Sequence, residues 1–258
     1  MVDDYSGFLL YSNPMRENYT LIRLYVDTPL VDGESIELSK AQAHYLGTVL
    51  RKGEGDAIRI FNGQDGEWRA EVSVISKKST ILKITQLLRT PKPCLDIILC
   101  FALVKKHRTS FIIEKATELG VSAMFPVITA RTQFPKFNLD KAHLQAIEAA
   151  EQTERLDVPN IHPVQKLVTL LNDWVNPRRL IFADEGGDAK PALDALKDIK
   201  GPAAVLIGPE GGFTPQEREI LRKQAFVTAV SLGPRILRAD TAALSLLTLW
   251  QAVQGDWT

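Results

Sequence analysis

Residues 204–214 read AVLIGPEGGFT, and residues 232–241 read LGPRILRADT. Each is a short apolar run that breaks into glycine and proline, a pattern that predicts a buried strand ending in a tight loop. Gly208, Gly211 and Gly212 lack Cβ, so their backbone can take positive φ and admit a ligand closely; an ordinary structural turn uses glycine for the same reason. The first loop has neither the GK[ST] of a triphosphate loop nor the GxGxxG of a dinucleotide loop, which removes both ligand classes. Thr214, Pro215 and Glu217 predict a helix start with a threonine cap, proline in the first turn and a glutamate closing a capping box. Two loops this close in sequence point to one pocket.

Working outward, strands are expected at Leu95–Val104, Val121–Ile128, Arg179–Ala183, Ala204–Ile207 and Val227–Leu232. Helices are expected at Thr109–Leu119, Asn138–Glu154 and Thr241–Val253, with further helical segments between the later strands. Alternating strand and helix implies a parallel α/β sheet, and ligands of such sheets lie at the carboxyl ends of strands, where both loops fall. The run Thr90-Pro91-Lys92-Pro93 marks a boundary, because alternating prolines continue neither a helix nor a central strand. Before it, short strands at 21–26, 57–61, 67–75 and 80–87, broken by glycine turns and one helix capped by Ser39, suggest a small β-barrel. Residues 1–14 show neither period and read as a flexible extension.

A 258-residue chain with 45% hydrophobic and 24% charged residues fits a globular protein with a sizeable core. No apolar run reaches the roughly 20 residues of a membrane span, and the acidic beginning lacks the basic region of a signal peptide, so a cytoplasmic location is expected. Cys94 and Cys100 stand without a CxxC or a histidine cluster, which leaves reduced structural thiols and no metal site. The formal net charge is zero, yet ten Lys or Arg face three acids between Arg69 and Lys115. That imbalance suits a phosphate-contacting face and a merely solvated surface equally.

GPEGGFTPQE together with LGPRILRADTAAL resembles the paired C-terminal signatures of the RsmE family, the 16S ribosomal RNA uridine N3 methyltransferases of the SPOUT superfamily. KATELGV at Lys115–Val121, Pro126 and Arg131 within PVITART, Ala150-Glu151-Gln152 with Arg155 and Pro159, and Leu24-Tyr25, His44, Leu50-Arg51 and Phe61-Asn62-Gly63 are similar to further family motifs. The resemblance implies a PUA-like RNA-binding β-barrel over residues 15–90. It further implies a SPOUT methyltransferase domain over residues 95–258 with a parallel sheet, a C-terminal trefoil knot and a homodimeric state. S-adenosyl-L-methionine would be cradled by Leu206, Ile207, Gly208, Pro209, Glu210, Gly211 and Gly212 from one loop and by Leu232, Gly233, Ile236, Leu237 and Arg238 from the other. Two positions depart from the family pattern: Ser110 stands where glutamate is common, and Arg238-Ala239-Asp240-Thr241 replaces Arg-Thr-Glu-Thr.

Uracil N3 becomes nucleophilic only when its imino proton leaves, so the implied enzyme must accept a proton and stabilise charge spreading onto O2 and O4. Arg131, Arg235 and Arg238 are the candidates for the second task, since a guanidinium stays charged and bonds two acceptors. Arg131 fits a solvated surface equally well. Glu210 and Asp240 are the candidate proton acceptors, with loop capping the rival role for Glu210. Lys115 and Glu118 share a helical face and read as an internal ion pair. Arg23, Arg51, Lys105, Lys106, Arg108, Lys115 and Arg155 are assigned to RNA contacts, with the small ribosomal subunit as partner. A noncatalytic RNA-binding assembly factor, or a methyltransferase acting on another RNA or on a ribose, would carry the same loops.

Overall fold

The structure, a computed structural model, describes residues 18–76, 79–92, 94–174, 177–186 and 188–257; the extension expected over 1–14 lies outside them. The chain divides into two compact units, Met1–Lys92 and Pro93–Thr258.

In the first unit β1 (Arg23–Tyr25), β2 (Ser35–Glu37), β3 (Ala57–Phe61), β4 (Glu67–Ile75) and β5 (Thr80–Arg89) form one sheet in the order β1-β3-β4-β5-β2. Only β1 and β3 run parallel. The described pairings make an open path, and ring closure of the expected barrel is not among them. β2 has no counterpart in the sequence reading because three residues with one buried side chain, Ile36, leave no alternation to detect. Helix α1 (Lys40–His44) begins at Ser39, whose hydroxyl accepts from the Gln42 amide in a capping box, and continues as a π-helical turn over Tyr45–Val49. Leu46 from that turn is buried with Leu24, Ile58, Ile60, Leu82 and Ile84 from the sheet.

In the second unit the elements follow in order: β6 (Ile97–Ala102), α2 (Lys106–Glu118), β7 (Ala123–Ile128), α3 (Leu139–Gln152), β8 (Asn160–Ile161), β9 (Gln165–Lys166), α4 (Leu167–Asn172) and β10 (Arg179–Ala183). Then come β11 (Lys190–Pro191), α5 (Ala192–Lys197), β12 (Ala203–Ile207), α6 (Pro215–Arg222), β13 (Val227–Ser231) and α7 (Ala239–Gln254). The sheet order is β11-β13-β10-β12-β6-β7-β8, with β9 also on β7, and every pair is parallel.

Alternation along each central strand explains why these strands read as unbroken apolar runs. Ile97, Leu99 and Phe101 of β6 and Val205 and Ile207 of β12 enter one core with α2, α3, α5 and α7. Cys100 and Ala102 of β6 and Ala204 and Leu206 of β12 enter a second core with α4 and α6 on the other face. A sheet covered on both faces needs apolar residues at every position, not every second one. Burial pushes the Cys100 thiol up to about 12 and the Cys94 thiol to about 11, so both stay neutral at physiological pH. Among the described residues no helix is long and apolar enough to cross a membrane, and no cluster of potential metal ligands occurs.

Candidate active site

Because all strands point the same way, their carboxyl ends share one edge. β10 lies between β12 and β13, so the exits of these three strands meet there. A cavity of about 160 Å³ opens at this edge, walled by Ala183–Glu185 at the end of β10 and by the segment Ser231–Leu237 at the end of β13. The first glycine loop joins it through Glu185. A Cβ on Gly212 would fall 1.9 Å from Glu185 Oε1, and Gly212 holds φ at +66°. Only glycine fits both conditions.

The remaining loop glycines are not equivalent. A Cβ on Gly208 would press on the Phe213 ring at 3.0 Å, whereas one on Gly211 would meet Arg131 Cδ at an ordinary 3.4 Å. Gly233 combines φ of +101° with no atom within 4 Å of an added Cβ, so its backbone borders open space. Leu206, Ile207 and Pro209 are buried, and the side chains of Leu206 and Ile207 belong to the two cores; they can offer a ligand only their backbone. Ile236, in contrast, is 86% exposed beside the cavity, and Leu232 and Leu237 are half-buried in its wall.

The loop after β12 is held from outside by two side chains. Arg131 Nη1 donates to Gly211 O at 2.6 Å and to Phe213 O at 3.5 Å. Glu217 completes the capping box of α6 by accepting from the Thr214 amide at 2.9 Å with one oxygen. Its other oxygen accepts from the Ala130 amide at 2.8 Å. Arg131 therefore holds the loop's backbone in position. The carboxylate of Glu210 is exposed and bonds to none of the described residues, so it caps no loop amide.

Arg235 and Arg238 are exposed on the second loop, and neither guanidinium forms a hydrogen bond or ion pair with the described residues, although the Arg238 carbonyl accepts from the Ala242 amide at 2.8 Å. Asp240, in the first turn of α7, lies 3.7 Å from Arg108 Nη1 and accepts from the Thr241 amide at 3.0 Å. The structure thus ties Asp240 to Arg108, two residues assigned separately to proton transfer and to RNA.

The RNA assignments divide sharply. Arg51, Lys105 and Lys106 are exposed. Arg23 is corrected: its side chain is 2% exposed, pairs with Glu67 at 2.6 Å and lies over the Phe61 ring, so it does not face a phosphate. Arg155 is corrected as well. Helix α3 ends at Gln152, and the Arg155 guanidinium folds back to donate to Thr117 O at 2.7 Å and Val121 O at 3.0 Å while pairing with Asp157. It binds carbonyls at the end of α2. Lys115 pairs with Glu114 at 2.8 Å and Glu118 at 2.5 Å, the internal ion pair read from the spacing.

Residues of the β10 exit had no place in the sequence reading. Asp184, 4% exposed, accepts from Arg218 Nε at 2.7 Å and from Arg222 Nη2 at 2.6 Å, binding α6 to the cavity wall. Burial pushes its carboxyl up, but the hydrogen bonds from Arg218 and Arg222 outweigh burial and hold it below the ordinary value. A signal was present. RLIFADEGG at 179–187 breaks from an apolar run into Glu-Gly-Gly as AVLIGPEGG does at 204–212.

With this geometry in hand, comparison with known proteins is direct. Residues 90–251 match the model of the RNA methyltransferase domain, and residues 38–85 match the RNA methyltransferase PUA domain. The chain belongs to this RNA methyltransferase family. It is 33% identical to the ribosomal RNA small subunit methyltransferase E of Rickettsia conorii, across 87% of this chain and 93% of that one. The Bacillus subtilis protein of that name is 32% identical over 84% of this chain and 90% of its own. The crystal structure of the Neisseria gonorrhoeae protein of that name, bound to S-adenosyl methionine, superposes with a TM-score of 0.83 at 29% identity, covering 92% of this chain and all of that one.

Proposed function

We propose that this chain transfers a methyl group from S-adenosylmethionine to N3 of a uridine in the 16S RNA of the small ribosomal subunit. The observation that carries the reading is the cavity at the exits of β10 and β13, bordered by the Gly233 backbone, by exposed Ile236 and by Arg235, whose guanidinium has no partner among the described residues. These residues suit the cofactor. Its adenine needs an apolar face and backbone donors and acceptors, which Ile236, Leu237 and the two loops offer. Its sulfonium is a cation, and Glu185 stands in the wall where a phosphate ligand would call for lysine. When bound, the cofactor supplies an electrophilic methyl group.

The chain's own groups do the rest. Arg235 and Arg238 are free to bond the O2 and O4 of a uracil losing its N3 proton, where a preorganised cation favours the anion. Glu210, exposed at the turn, is the acceptor for that proton; Asp240 is tied to Arg108. Arg131 acts indirectly, by fixing the first loop. Positioning of the two reactants supplies much of the remaining acceleration.

The relatives named as small-subunit methyltransferases and the bound cofactor in the Neisseria structure support this assignment. The family resemblance adds a PUA-like barrel for residues 15–90, a SPOUT domain for 95–258 with a trefoil knot around the cofactor, a homodimer, and a cytoplasmic site of action on the ribosome. The decisive experiment incubates the protein with unmethylated small subunits and labelled cofactor, then locates the modification by mass spectrometry. N3-methyluridine in 16S RNA is the expected product. Label on a ribose oxygen or only in transfer RNA overturns the acceptor, and absence of cofactor heat in calorimetry leaves a noncatalytic assembly factor instead.

A further inference from the structure

A larger cavity, about 580 Å³, lies outside the cofactor loops, between the first turns of α2 and α3 and the segment 133–138 that follows β7. Its volume falls within the roughly 300–1,000 Å³ of small-ligand sites. Phe134 and Phe137 supply aromatic surface, and Phe134 is 39% exposed, so its ring is available to a ligand. Lys106, Lys136 and Lys141 line the same groove, and no carboxylate does. Of the acids on the flanking elements, Glu114 and Glu118 pair with Lys115 and Asp240 with Arg108, while Asp140, beside Lys141 in the first turn of α3, is exposed and lies outside the lining. Ser110 and Gln145 add neutral hydrogen-bonding groups to the wall.

The groove's position matters as much as its chemistry. It sits at the exits of β6 and β7, next along the sheet from β12. The chain leaving β7 is pinned to the first glycine loop by Arg131 on Gly211 O and by Glu217 on the Ala130 amide, and then runs on to form the groove's outer wall. Groove and cofactor loops are consecutive stations on one edge.

We infer that this groove receives an unpaired nucleotide of the RNA substrate, its base against Phe134 and Phe137 and its phosphates among Lys106, Lys136 and Lys141. Every base has a π face, so aromatic walls bind it whatever the sequence, and lysines follow the backbone. An apolar helix from a second copy of the chain fits less well, because it would bury three ammonium groups with no carboxylate to meet them. The inference rests on the proposed RNA methyltransfer.

The test uses the full chain and measures small-subunit RNA binding without cofactor, cofactor affinity and oligomeric state. Phe134→Ala should weaken RNA binding at least about five-fold, as loss of base stacking does, while Phe134→Tyr restores it. Lys136→Ala should lower the slope of log affinity against log salt by roughly 0.7. Cofactor affinity and oligomeric state should not change in any of the three. Unchanged RNA affinity in Phe134→Ala overturns the inference, and so does a shift in oligomeric state, which would make the groove an interface between copies. Wild-type protein that binds RNA but transfers no methyl overturns the catalytic reading alone; wild-type protein that binds no RNA overturns both.

Discussion

Two sets of arginines in this molecule sit in opposite surroundings. In the first unit, Arg23, Arg59 and Arg89 converge on the buried carboxylate of Glu67, at 2.6, 3.5 and 2.8 Å. In the second, Arg235 and Arg238 stand exposed on a loop, their guanidinium groups without a partner among the described residues. In sequence the two sets look alike, a basic residue beside apolar ones. What separates them is whether the fold brings a carboxylate to the guanidinium. A paired, desolvated arginine holds structure together, whereas the guanidinium groups of Arg235, in the cavity wall, and of Arg238 remain exposed, as the proposed role in substrate binding requires.

The comparison breaks first at Arg238. Arg238→Ala should lower turnover about 10²- to 10³-fold, the loss typical of removing one donor to a developing anion, with cofactor affinity within a few-fold of wild type. Equal losses in steady-state turnover and in calorimetric affinity would move Arg238 into the cofactor site. Glu67→Gln is the counterpart. It leaves buried guanidinium groups without a counter-charge and should cost about 3–5 kcal/mol of stability in urea unfolding, with cofactor affinity per folded molecule unchanged.

A smaller effect is expected within the first loop. Gly212→Ala forces a side chain onto Glu185 and a positive φ onto a non-glycine residue, at a cost of roughly 1–3 kcal/mol, and should weaken cofactor binding. Gly211→Ala should be close to neutral, because its Cβ makes only ordinary contact with Arg131. Bulkier Gly211→Val tests backbone approach by ligand: retained affinity in calorimetry would confine Gly211 to the turn.

The smallest effect concerns acid. For Glu67, burial raises the carboxyl and hydrogen bonds from Arg89 and Arg23 more than offset it, leaving the folded value low; Asp184 is held down likewise by Arg218 and Arg222. The unfolded carboxylates titrate near about 4. Their contribution is therefore complete above that pH and is lost as pH falls through the lower folded values. Unfolding free energy measured from pH 5 to 3 should fall steeply for wild type and less steeply for Glu67→Gln; parallel curves would show that Glu67 is not a source of the acid sensitivity.

Much of the architecture was legible because its signals are local. The strands at 57–61, 67–75 and 179–183 and the threonine cap of α6 coincide with their sequence readings, since periodicity and capping chemistry act within a few residues. Two-residue strands such as β8, β9 and β11 carry no period and were invisible. Both glycine loops follow strands of the sheet, as their sequence predicts.

The order of the longer elements and the parallel character of the second unit's sheet were written in the chain itself, because apolar spacing, proline breaks and glycine turns are properties of neighbouring residues. Partnership across distance was not. That Arg23 is bound by Glu67 and Arg155 by the carbonyls ending α2, that Glu185 packs against Gly212, and that Arg131 grips the first loop depend on residues 27 to 80 positions apart. Only tertiary packing settles which charges meet and are desolvated, and that choice separates the arginines paired inside this protein from those left exposed.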